Sequence, residues 1–354
     1  HIMENITVKV NGVEVSVPKG ATVLEAAHAA GFEIPTLCYM KEINEIGACR
    51  ICVVEVNEGR GFRLVAGCVY PCTDKMEILT ASPKVIESRK KTLELILSTH
   101  DRKCLSCVRS GNCELQKLCK DYGIEDASKY DGVTNTYEVD NSAAHMYRDN
   151  NKCILCRRCV AVCANTQGIG VIGANERGFK TYIGSAFDMG LGETSCVSCG
   201  QCIAVCPVGA IAEKDYIKPV LEAIADPEKV VLVQTAPAVR AGLGECFGLP
   251  IGTNVEGKMV AALRRLGFDK VFDTDFAADL TIMEEANEFL DRVKNGGKLP
   301  LITSCSPGWV KYCEHYFPEM TENLSSCKSP QQMFGAVAKT YYAEKIGVDP
   351  KNIV

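Results

Sequence analysis

The sequence lacks any apolar run close to the roughly 20 residues of a membrane-spanning helix, so no span is predicted. It also lacks a strong charge of one sign. The net charge is -5 and charged residues make up 23%, which argues against disorder and a nucleic-acid-binding surface. No G-x-G-x-x-G follows a strand and opens a helix, so no dinucleotide site is expected. The N-terminus has no signal-peptide pattern, and we interpret His1 and Ile2 as a cloning remnant.

Cysteine is what the sequence has in excess, with 21 among 354 residues. Most of these cysteines lie in tight C-x-x-C groups, whereas a secreted disulfide scaffold would be a shorter chain with a signal sequence. Sulfur atoms this close in sequence suit a metal centre better than a set of long cross-links. The cysteine pattern therefore predicts an iron–sulfur protein of a reducing, anaerobic cytoplasm.

Residues 1–80 predict a small sheet domain. Two alternating stretches flank Asn11-Gly12, a pair typical of hairpin turns. Thr22 and Glu25 fit a capping box, so a helix is expected over 23–30. A hairpin, a helix and a cysteine-rich loop in this order resemble a plant-type ferredoxin domain of the β-grasp class.

The first set of cysteines follows in this domain. Gly47 and Ala48 are small enough to let backbone N–H groups approach a sulfide, which stabilises a reduced cluster. The spacing predicts a [2Fe–2S] cluster, with a zinc site as the alternative. Cys72 is one thiol too many and is interpreted as a buried spare. The predicted ligands are Cys38, Cys49, Cys52 and Cys68.

Residues 81–120 predict a second cluster domain. A helical apolar pattern over 84–99 ends at a histidine, and three cysteines follow in the spacing H-x-x-x-C-x-x-C-x-x-x-x-x-C. This spacing fits a [4Fe–4S] cluster with one imidazole ligand, which makes the site less negative and raises its potential. Zinc with three thiolates and one imidazole is the alternative. Cys119 is not assigned. The predicted ligands are His100, Cys104, Cys107 and Cys113.

Residues 121–145 are polar and are interpreted as a linker, and residues 146–214 contain an internal duplication of cysteine runs. Both runs follow C-x-x-C-x-x-C-x-x-x-C, the pattern of two-cluster ferredoxins, in which the fourth cysteine of each run binds the other cluster. Crossed ligation predicts two [4Fe–4S] cubes close together. One would be held by Cys153, Cys156, Cys159 and Cys206, and the other by Cys163, Cys196, Cys199 and Cys202.

Strand and helix patterns alternate after about residue 228, which predicts an α/β lobe with a mainly parallel sheet. Strands are expected at 230–233, 271–272 and 301–302. Helices are expected at 239–247, 259–266 and 282–293. Cys246, Cys313 and Cys327 are interpreted as packing residues.

The order of the motifs resembles the front of [FeFe]-hydrogenase catalytic subunits. A similar N-terminal order occurs in the large iron–sulfur subunit of NADH dehydrogenase complexes and in some formate dehydrogenases. The C-terminal lobe separates these families, because it resembles the hydrogenase domain. The matching stretches are T-A-P-A-V-R at 235–240, the acidic helix at 279–286, T-S-C-S-P-G-W at 303–309, Ser325, and S-P-Q-Q at 329–332.

The resemblance implies roles for individual residues. A thiol, two carboxylates and a hydroxyl would relay protons to a diiron centre, although a solvated helix face also explains the two carboxylates. The relay residues would be Cys305, Glu285, Ser325 and Glu288. Residues that contact the H-cluster would be Pro237, Ser306 and Gln331. Ser306 stands where the family has a cysteine ligand, and a hydroxyl binds iron–sulfur clusters less readily than a thiol does.

The family's second and third signatures would lie beyond Val354, so a complete H-cluster is doubtful for this chain alone. It is expected to be a truncation, one half of a split protein, or an electron-transfer homologue without hydrogen chemistry. A partial lobe would expose apolar surface and need a partner. The expected fold class is therefore α+β and multi-domain, ending in a partial H-cluster domain over 215–354.

Two functions follow from these expectations. The first is the reversible reaction of two protons and two electrons to H₂, with electrons from ferredoxin or an NADH-oxidising partner passing through the accessory clusters. The second is a non-catalytic electron conduit in an NADH-linked or formate-linked complex. Neither nucleic acid nor a membrane span is expected among the partners.

Overall fold

The computed structural model describes residues 4–354, and the proposed cloning remnant at His1 and Ile2 lies outside them. The chain divides into two compact units, one ending at Lys214 and the other spanning Asp215–Val354. None of the helices in the described range combines the length and apolar character needed to cross a bilayer.

A five-stranded sheet organises the start of the first unit, in the order β2-β1-β5-β3-β4. Its strands are β1 (Asn5–Val10), β2 (Val13–Pro18), β3 (Val53–Asn57), β4 (Phe62–Ala66) and β5 (Glu77–Leu79). β1 pairs antiparallel with β2 and parallel with β5. Asn11 and Gly12 have φ values of 48° and 88°, which the predicted hairpin turn requires.

Helix α1 (Val23–Ala29) packs against this sheet. The predicted capping box is confirmed, because the Glu25 N–H donates to Thr22 Oγ1 at 3.2 Å and the Thr22 N–H donates to Glu25 Oε2 at 2.9 Å. Val23, Leu24 and the neighbouring alanines of the helix join the apolar core of the sheet. Cys72 lies in the same core, as the sequence predicted.

Replacing Thr22 with alanine is expected to destabilise the first turn of α1 by about 1 kcal/mol, because the capped N–H loses its acceptor. Amides of this turn should then exchange with deuterium roughly fivefold faster in mass-spectrometric measurements. Thr22→Ser keeps the acceptor oxygen and is the matched control. Equal exchange in the alanine and serine variants would contradict the capping role.

Two further helices, α2 (Pro83–Leu97) and α3 (Glu114–Asp121), surround the second cysteine set. Arg89 of α2 is buried, and its Nε and Nη2 donate to the Val53 carbonyl at 3.1 and 2.7 Å. Its Nη1 donates to the Tyr122 hydroxyl at 2.9 Å. One guanidinium thus ties the helix to the sheet and to the segment after α3.

The duplicated segment is built from short elements around a small core. β6 (Met146–Arg148) pairs antiparallel with β9 (Ile211–Glu213), and β7 (Gly173–Asn175) pairs with β8 (Tyr182–Gly184). The third cysteine of each run lies in a short helix, α4 (Arg158–Ala161) or α5 (Gln201–Ala204). The segment predicted as a linker carries little regular structure, yet Asn151 anchors it by donating to the Tyr137 carbonyl at 2.8 Å.

The second unit contains a parallel pair of strands, β10 (Leu232–Thr235) and β11 (Lys270–Asp273), which agrees with the predicted parallel sheet. The helices are α6 (Ile217–Ala225), α7 (Val239–Gly242), α8 (Glu256–Leu266), α9 (Thr274–Asn295), α10 (Pro307–Tyr316), α11 (Pro330–Val337) and α12 (Ala343–Ile346).

Three expectations for this unit are corrected. The helix expected at 282–293 begins at Thr274, because the Asp273 side chain accepts from the Asp275 N–H and caps it. The helix expected at 239–247 changes to 3-10 geometry at Leu243. Instead of a strand at 301–302, the structure has one parallel bridge between Ile302 and Leu324.

Large apolar side chains are exposed on the second unit. Phe276, Ile282 and Met283 of α9 are all more than half exposed. Cys313 is fully buried, in agreement with its interpretation as a packing residue. Cys246 is exposed, so its interpretation as a packing residue is wrong.

Candidate functional site: four sulfur-rich centres and a polar cluster

The first cysteine set converges at the edge of the five-stranded sheet. The sulfurs of Cys52 and Cys68 lie 3.2 Å apart, and the Cys49 N–H points at Cys38 Sγ at 3.5 Å. Positive φ angles at Gly47 and Arg50, both 59°, turn the loop inward. A thiol hydrogen bond from Cys38 lowers the pKa of Cys49 to about 6 and raises that of Cys38. The set therefore already favours a thiolate, the form that binds metal.

The second set borders a cavity of about 410 Å³ whose lining includes His100, Cys104, Cys107 and Cys113. The Nδ1 atom of His100 is buried and has no hydrogen-bond partner in the part of the chain that the structure describes. Burial lowers the pKa of this histidine, which favours the neutral imidazole that a metal needs. Cys119 lines the same cavity, and burial raises its pKa to about 11. The sequence analysis did not assign a role to this fifth cysteine, and the structure places it at the cavity.

The third and fourth sets surround two separate cavities in the crossed arrangement that the duplicated pattern predicts. One cavity is lined by Cys153, Cys156, Cys159 and Cys206. The other is lined by Cys163, Cys196, Cys199 and Cys202. The fourth cysteine of each run thus lies with the first three of the other run.

Equivalent backbone turns shape the two runs. Leu155 and Ser198 each follow the first cysteine by two residues, and their φ values are 55° and 56°. This conformation aims the Leu155 N–H at Cys153 Sγ and the Ser198 N–H at Cys196 Sγ, both at 3.4 Å. N–H groups directed at sulfur stabilise negative charge on a cluster. Burial raises the pKa of Cys153 to about 11, so a bound cation has to displace its proton.

The cysteine sets of the first unit are joined by direct hydrogen bonds. Asn44 is buried, and its Nδ2 donates to the carbonyls of Cys38 at 2.7 Å and Cys156 at 3.0 Å. Arg109 Nη2 donates to the Cys206 carbonyl at 2.7 Å. The set that includes Cys156 and Cys206 is therefore hydrogen-bonded to the segments that carry both of the preceding sets, through Asn44 and Arg109.

No three histidine, cysteine or acidic side chains among residues 4–354 are arranged to hold a single metal ion. The thiols of the second, third and fourth sets instead line cavities, which fits [4Fe–4S] clusters in which each protein ligand binds a different iron atom. The unpartnered His100 nitrogen and the inward-facing thiols provide the soft donors that iron–sulfur clusters use.

In the second unit the structure groups part of the expected proton relay. Ser325 is buried and its hydroxyl donates to Glu288 Oε2 at 3.3 Å, and the Ser326 N–H donates to the same oxygen at 3.1 Å. Burial alone would raise the pKa of Glu288, but hydrogen bonds from Arg292 and Ser326 outweigh it and lower the pKa. Glu288 is thus held as a carboxylate and its side chain is only 17% exposed.

The other relay residues are less closely connected. Glu285 is half-buried one turn before Glu288 on α9, so the two share a helix face. Cys305 is exposed, and no hydrogen bond joins it to Glu285 in the described chain. The sequence analysis did not identify two side chains that contact Glu288. Arg292 Nη2 pairs with Glu288 Oε1 at 2.5 Å, and Cys327 Sγ lies 3.5 Å from Glu288 Oε2. Because Glu288 and Arg292 lie four residues apart on one helix, their ion pair could have been predicted from the sequence.

The residues expected to contact an H-cluster lie at ends of secondary structure elements. Pro237 is exposed just after β10, and Gln331 is exposed in the first turn of α11. The Gln331 carbonyl accepts from Gln234 Nε2 at 3.2 Å, which connects these two regions. Ser306 is exposed at the N-cap of α10 without capping it through its side chain.

Comparisons with known families account for most of the chain. Residues 229–354 match the family described as iron only hydrogenase large subunit, C-terminal domain. Residues 3–83 match a 2Fe-2S iron-sulfur cluster binding domain, and residues 89–128 match the NADH-ubiquinone oxidoreductase-G iron-sulfur binding region. Residues 134–210 match a 4Fe-4S dicluster domain.

Individual relatives agree with these matches. The NADP-reducing hydrogenase subunit HndD of Solidesulfovibrio fructosivorans is 51% identical over 99% of this chain and 62% of its own length. Iron hydrogenase 1 of Clostridium pasteurianum is 44% identical over 98% of this chain and 60% of its own length. The chain thus spans about three fifths of both relatives.

A solved structure also resembles part of the chain. A chain in the crystal structure of NAD+-reducing [NiFe]-hydrogenase in the H2-reduced state has a TM-score of 0.55 and 32% identity. The match covers 60% of this chain and 88% of that chain.

Proposed function

Because residues 229–354 match the iron only hydrogenase large subunit, C-terminal domain, we propose that this chain transfers electrons through iron–sulfur clusters within an [FeFe]-hydrogenase catalytic subunit. The whole protein would interconvert H₂ with two protons and two electrons. The observation that carries this proposal is the sequence of four sulfur-rich sets ahead of a lobe that matches the hydrogenase C-terminal domain.

The chain is a multi-domain α/β protein with ferredoxin-like iron–sulfur domains and a hydrogenase lobe. Its finer organisation is part of the proposal. A β-grasp [2Fe–2S] domain would occupy 1–80, a histidine-ligated cluster domain 81–120, a linker 121–145, a two-cluster domain 146–214 and a partial H-cluster domain 215–354.

The proposed cofactors are one [2Fe–2S] cluster and three [4Fe–4S] clusters, which supply one-electron carriers when bound. Cys38, Cys49, Cys52 and Cys68 would hold the first cluster. His100, Cys104, Cys107 and Cys113 would hold the second. The crossed set that includes Cys159 would hold one [4Fe–4S] cube, and the crossed set that includes Cys202 would hold the other. The residues themselves exclude water from the buried thiols and direct N–H groups at sulfur.

In the lobe, Glu288 and Ser325 would form the outer part of a proton path that continues through Glu285 to Cys305. The contact of 3.3 Å between Ser325 and Glu288 supports this outer part. Pro237, Ser306 and Gln331 would lie next to an H-cluster. A hydroxyl at 306 weakens ligation there, so the active site would need ligands beyond those in this chain.

The proposed partners follow from the relatives. An NAD(P)H-oxidising subunit is the first, because the relatives include an NADP-reducing hydrogenase subunit. Ferredoxin is the second. The rest of the hydrogenase domain would cover the exposed apolar residues of α9, and the location would be the cytoplasm.

A non-catalytic electron conduit is the second candidate, favoured by the match of residues 89–128 to the oxidoreductase-G region. The two functions differ in metal content and infrared spectrum. Anaerobically reconstituted chain should bind about 14 iron atoms in four clusters under either proposal. After incubation with the hydrogenase maturation machinery, CO and CN⁻ bands in the full-length protein would support hydrogen chemistry. Their absence with all four clusters present would favour the conduit, and binding of zinc alone would refute both.

A further inference from the structure

Arg148 is a buried arginine beside the two crossed cysteine sets, and no carboxylate among residues 4–354 pairs with it. The residue is only 4% exposed, and its Nη1 donates to the Ile183 carbonyl at 3.3 Å. Its Nε and Nη2 atoms are buried and have no hydrogen-bond partner within the described residues. A buried cation with two unpartnered donor nitrogens is costly, because desolvation is not repaid by a partner.

The neighbouring acidic groups are already committed to other partners. Asp149 pairs with Lys152 at 3.3 Å. Asp140 lies across a backbone pairing with Arg148, and its carboxylate accepts from Ser142 and from the Leu191 N–H. Asp140 therefore experiences the positive charge but does not bind the guanidinium.

The position of Arg148 explains what its charge faces. The side chain lines the cavity bordered by Cys153, Cys156, Cys159 and Cys206. Its strand β6 also reaches the second cavity, because Met146 Sδ lies 4.0 Å from Cys202 Sγ. Met146 and Arg148 are two residues apart on β6 and are both buried, so their side chains lie on the same face of the strand and the guanidinium lies close to both cysteine sets.

We propose that the Arg148 guanidinium is the shared counter-cation of the two cubes and sets their reduction potentials as a positioning residue. This inference rests on the cluster assignment proposed above. Four thiolates make each cube anionic, and each reduction adds one more negative charge. A desolvated cation nearby stabilises the reduced form, and its free N–H groups can donate to cluster sulfur.

The expected change in the reduction potential of each cube follows from the same electrostatics that shift pKa values. An opposite charge close by changes a pKa by about one to three units, which is tenfold or more in an equilibrium constant. Replacing Arg148 with methionine should therefore lower the equilibrium constant for reducing each cube about tenfold, which corresponds to 59 mV for one electron. Methionine fills a similar apolar volume without the charge.

The test is an EPR-monitored redox titration of the reconstituted full chain in wild-type, Arg148→Met and Arg148→Lys forms. Arg177 provides the matched control, because it belongs to the same duplicated segment but is exposed to solvent, which screens its charge. We expect both cube potentials to fall in Arg148→Met, to stay near wild type in Arg148→Lys, and to stay unchanged in Arg177→Met. The [2Fe–2S] potential should be the same in all four.

The number of cubes that the chain binds distinguishes a failure of this inference from a failure of the proposed function. A wild-type chain without two cube signals would sink the cluster assignment itself. Two intact cubes with unchanged potentials in Arg148→Met would overturn the role of Arg148 alone. Loss of the cubes in Arg148→Met but not in Arg148→Lys would support a requirement for the charge. Loss in both variants would show that packing, not charge, is what the arginine supplies.

Discussion

Replacing Cys159 with alanine is expected to remove one [4Fe–4S] cube and leave the other three clusters in place. Cys159 is buried and borders the cavity that also includes Cys153, Cys156 and Cys206. A cube that loses one of four thiolate ligands in this buried position lacks a replacement donor from the set. Iron analysis should show about four atoms fewer per chain, while the visible circular dichroism of the [2Fe–2S] cluster is retained.

The same experiment tests the crossing when it is extended to the other cysteines. Cys206→Ala should lose the same cube as Cys159→Ala, as judged by EPR, whereas Cys163→Ala should lose the other one. Cys72→Ala is the matched control, because Cys72 is a buried thiol in the core of the sheet domain and belongs to no proposed ligand set. Different EPR losses in the Cys159 and Cys206 variants would refute crossed ligation.

Replacing Gly209 with alanine is expected to expel or distort the histidine-ligated cluster. An added Cβ at this position would lie 2.5 Å from Cys107 Sγ, well inside contact distance. Cys107 is a proposed ligand, so its sulfur has little freedom to move once a cluster is bound. We expect loss of about four iron atoms, or a changed EPR signal from this cluster, with the [2Fe–2S] signal unchanged.

Gly132→Ala is the matched control for this steric effect, because an added Cβ there has no heavy atom within 4 Å. Both glycines lack the left-handed φ values that would strain an alanine, so the two variants differ mainly in the contact with sulfur. A Gly209→Ala chain that keeps an unperturbed histidine-ligated cluster would show that the Cys107 segment adjusts at no cost.

The sequence predicted correctly those turns and helix caps that depend only on residues close to one another in the chain. The Asn11-Gly12 turn and the capping box of Thr22 both formed as expected, because each depends on residues within a few positions. The grouping of the crossed cysteine sets was also predictable, because the duplicated spacing carries its own pairing rule. Helix α9 was underestimated because its first two turns begin at an aspartate cap rather than at an apolar repeat.

Long-range contacts account for what the sequence did not reveal. Asn44 bonds to the Cys156 carbonyl across 112 positions, and nothing in the spacing of either loop indicates that pairing. Arg148 likewise has an ordinary strand context, and its lack of a partner is evident only after folding. Cys327 reaches Glu288 for the same reason, through the packing of the segment after α10 against α9.

The crossed cysteine sets also constrain the order in which this protein matures. Cys206 borders a cavity with thiols that leave the ribosome about fifty residues earlier, so that cavity stays open until the later run has emerged. The other cavity waits for the same run, because Cys163 is its only earlier member. Neither half of the duplication supplies all four proposed ligands of a cube on its own. Iron delivery to this pair of sites is therefore expected to follow synthesis of both halves, whereas the [2Fe–2S] site can be filled on a much shorter nascent chain.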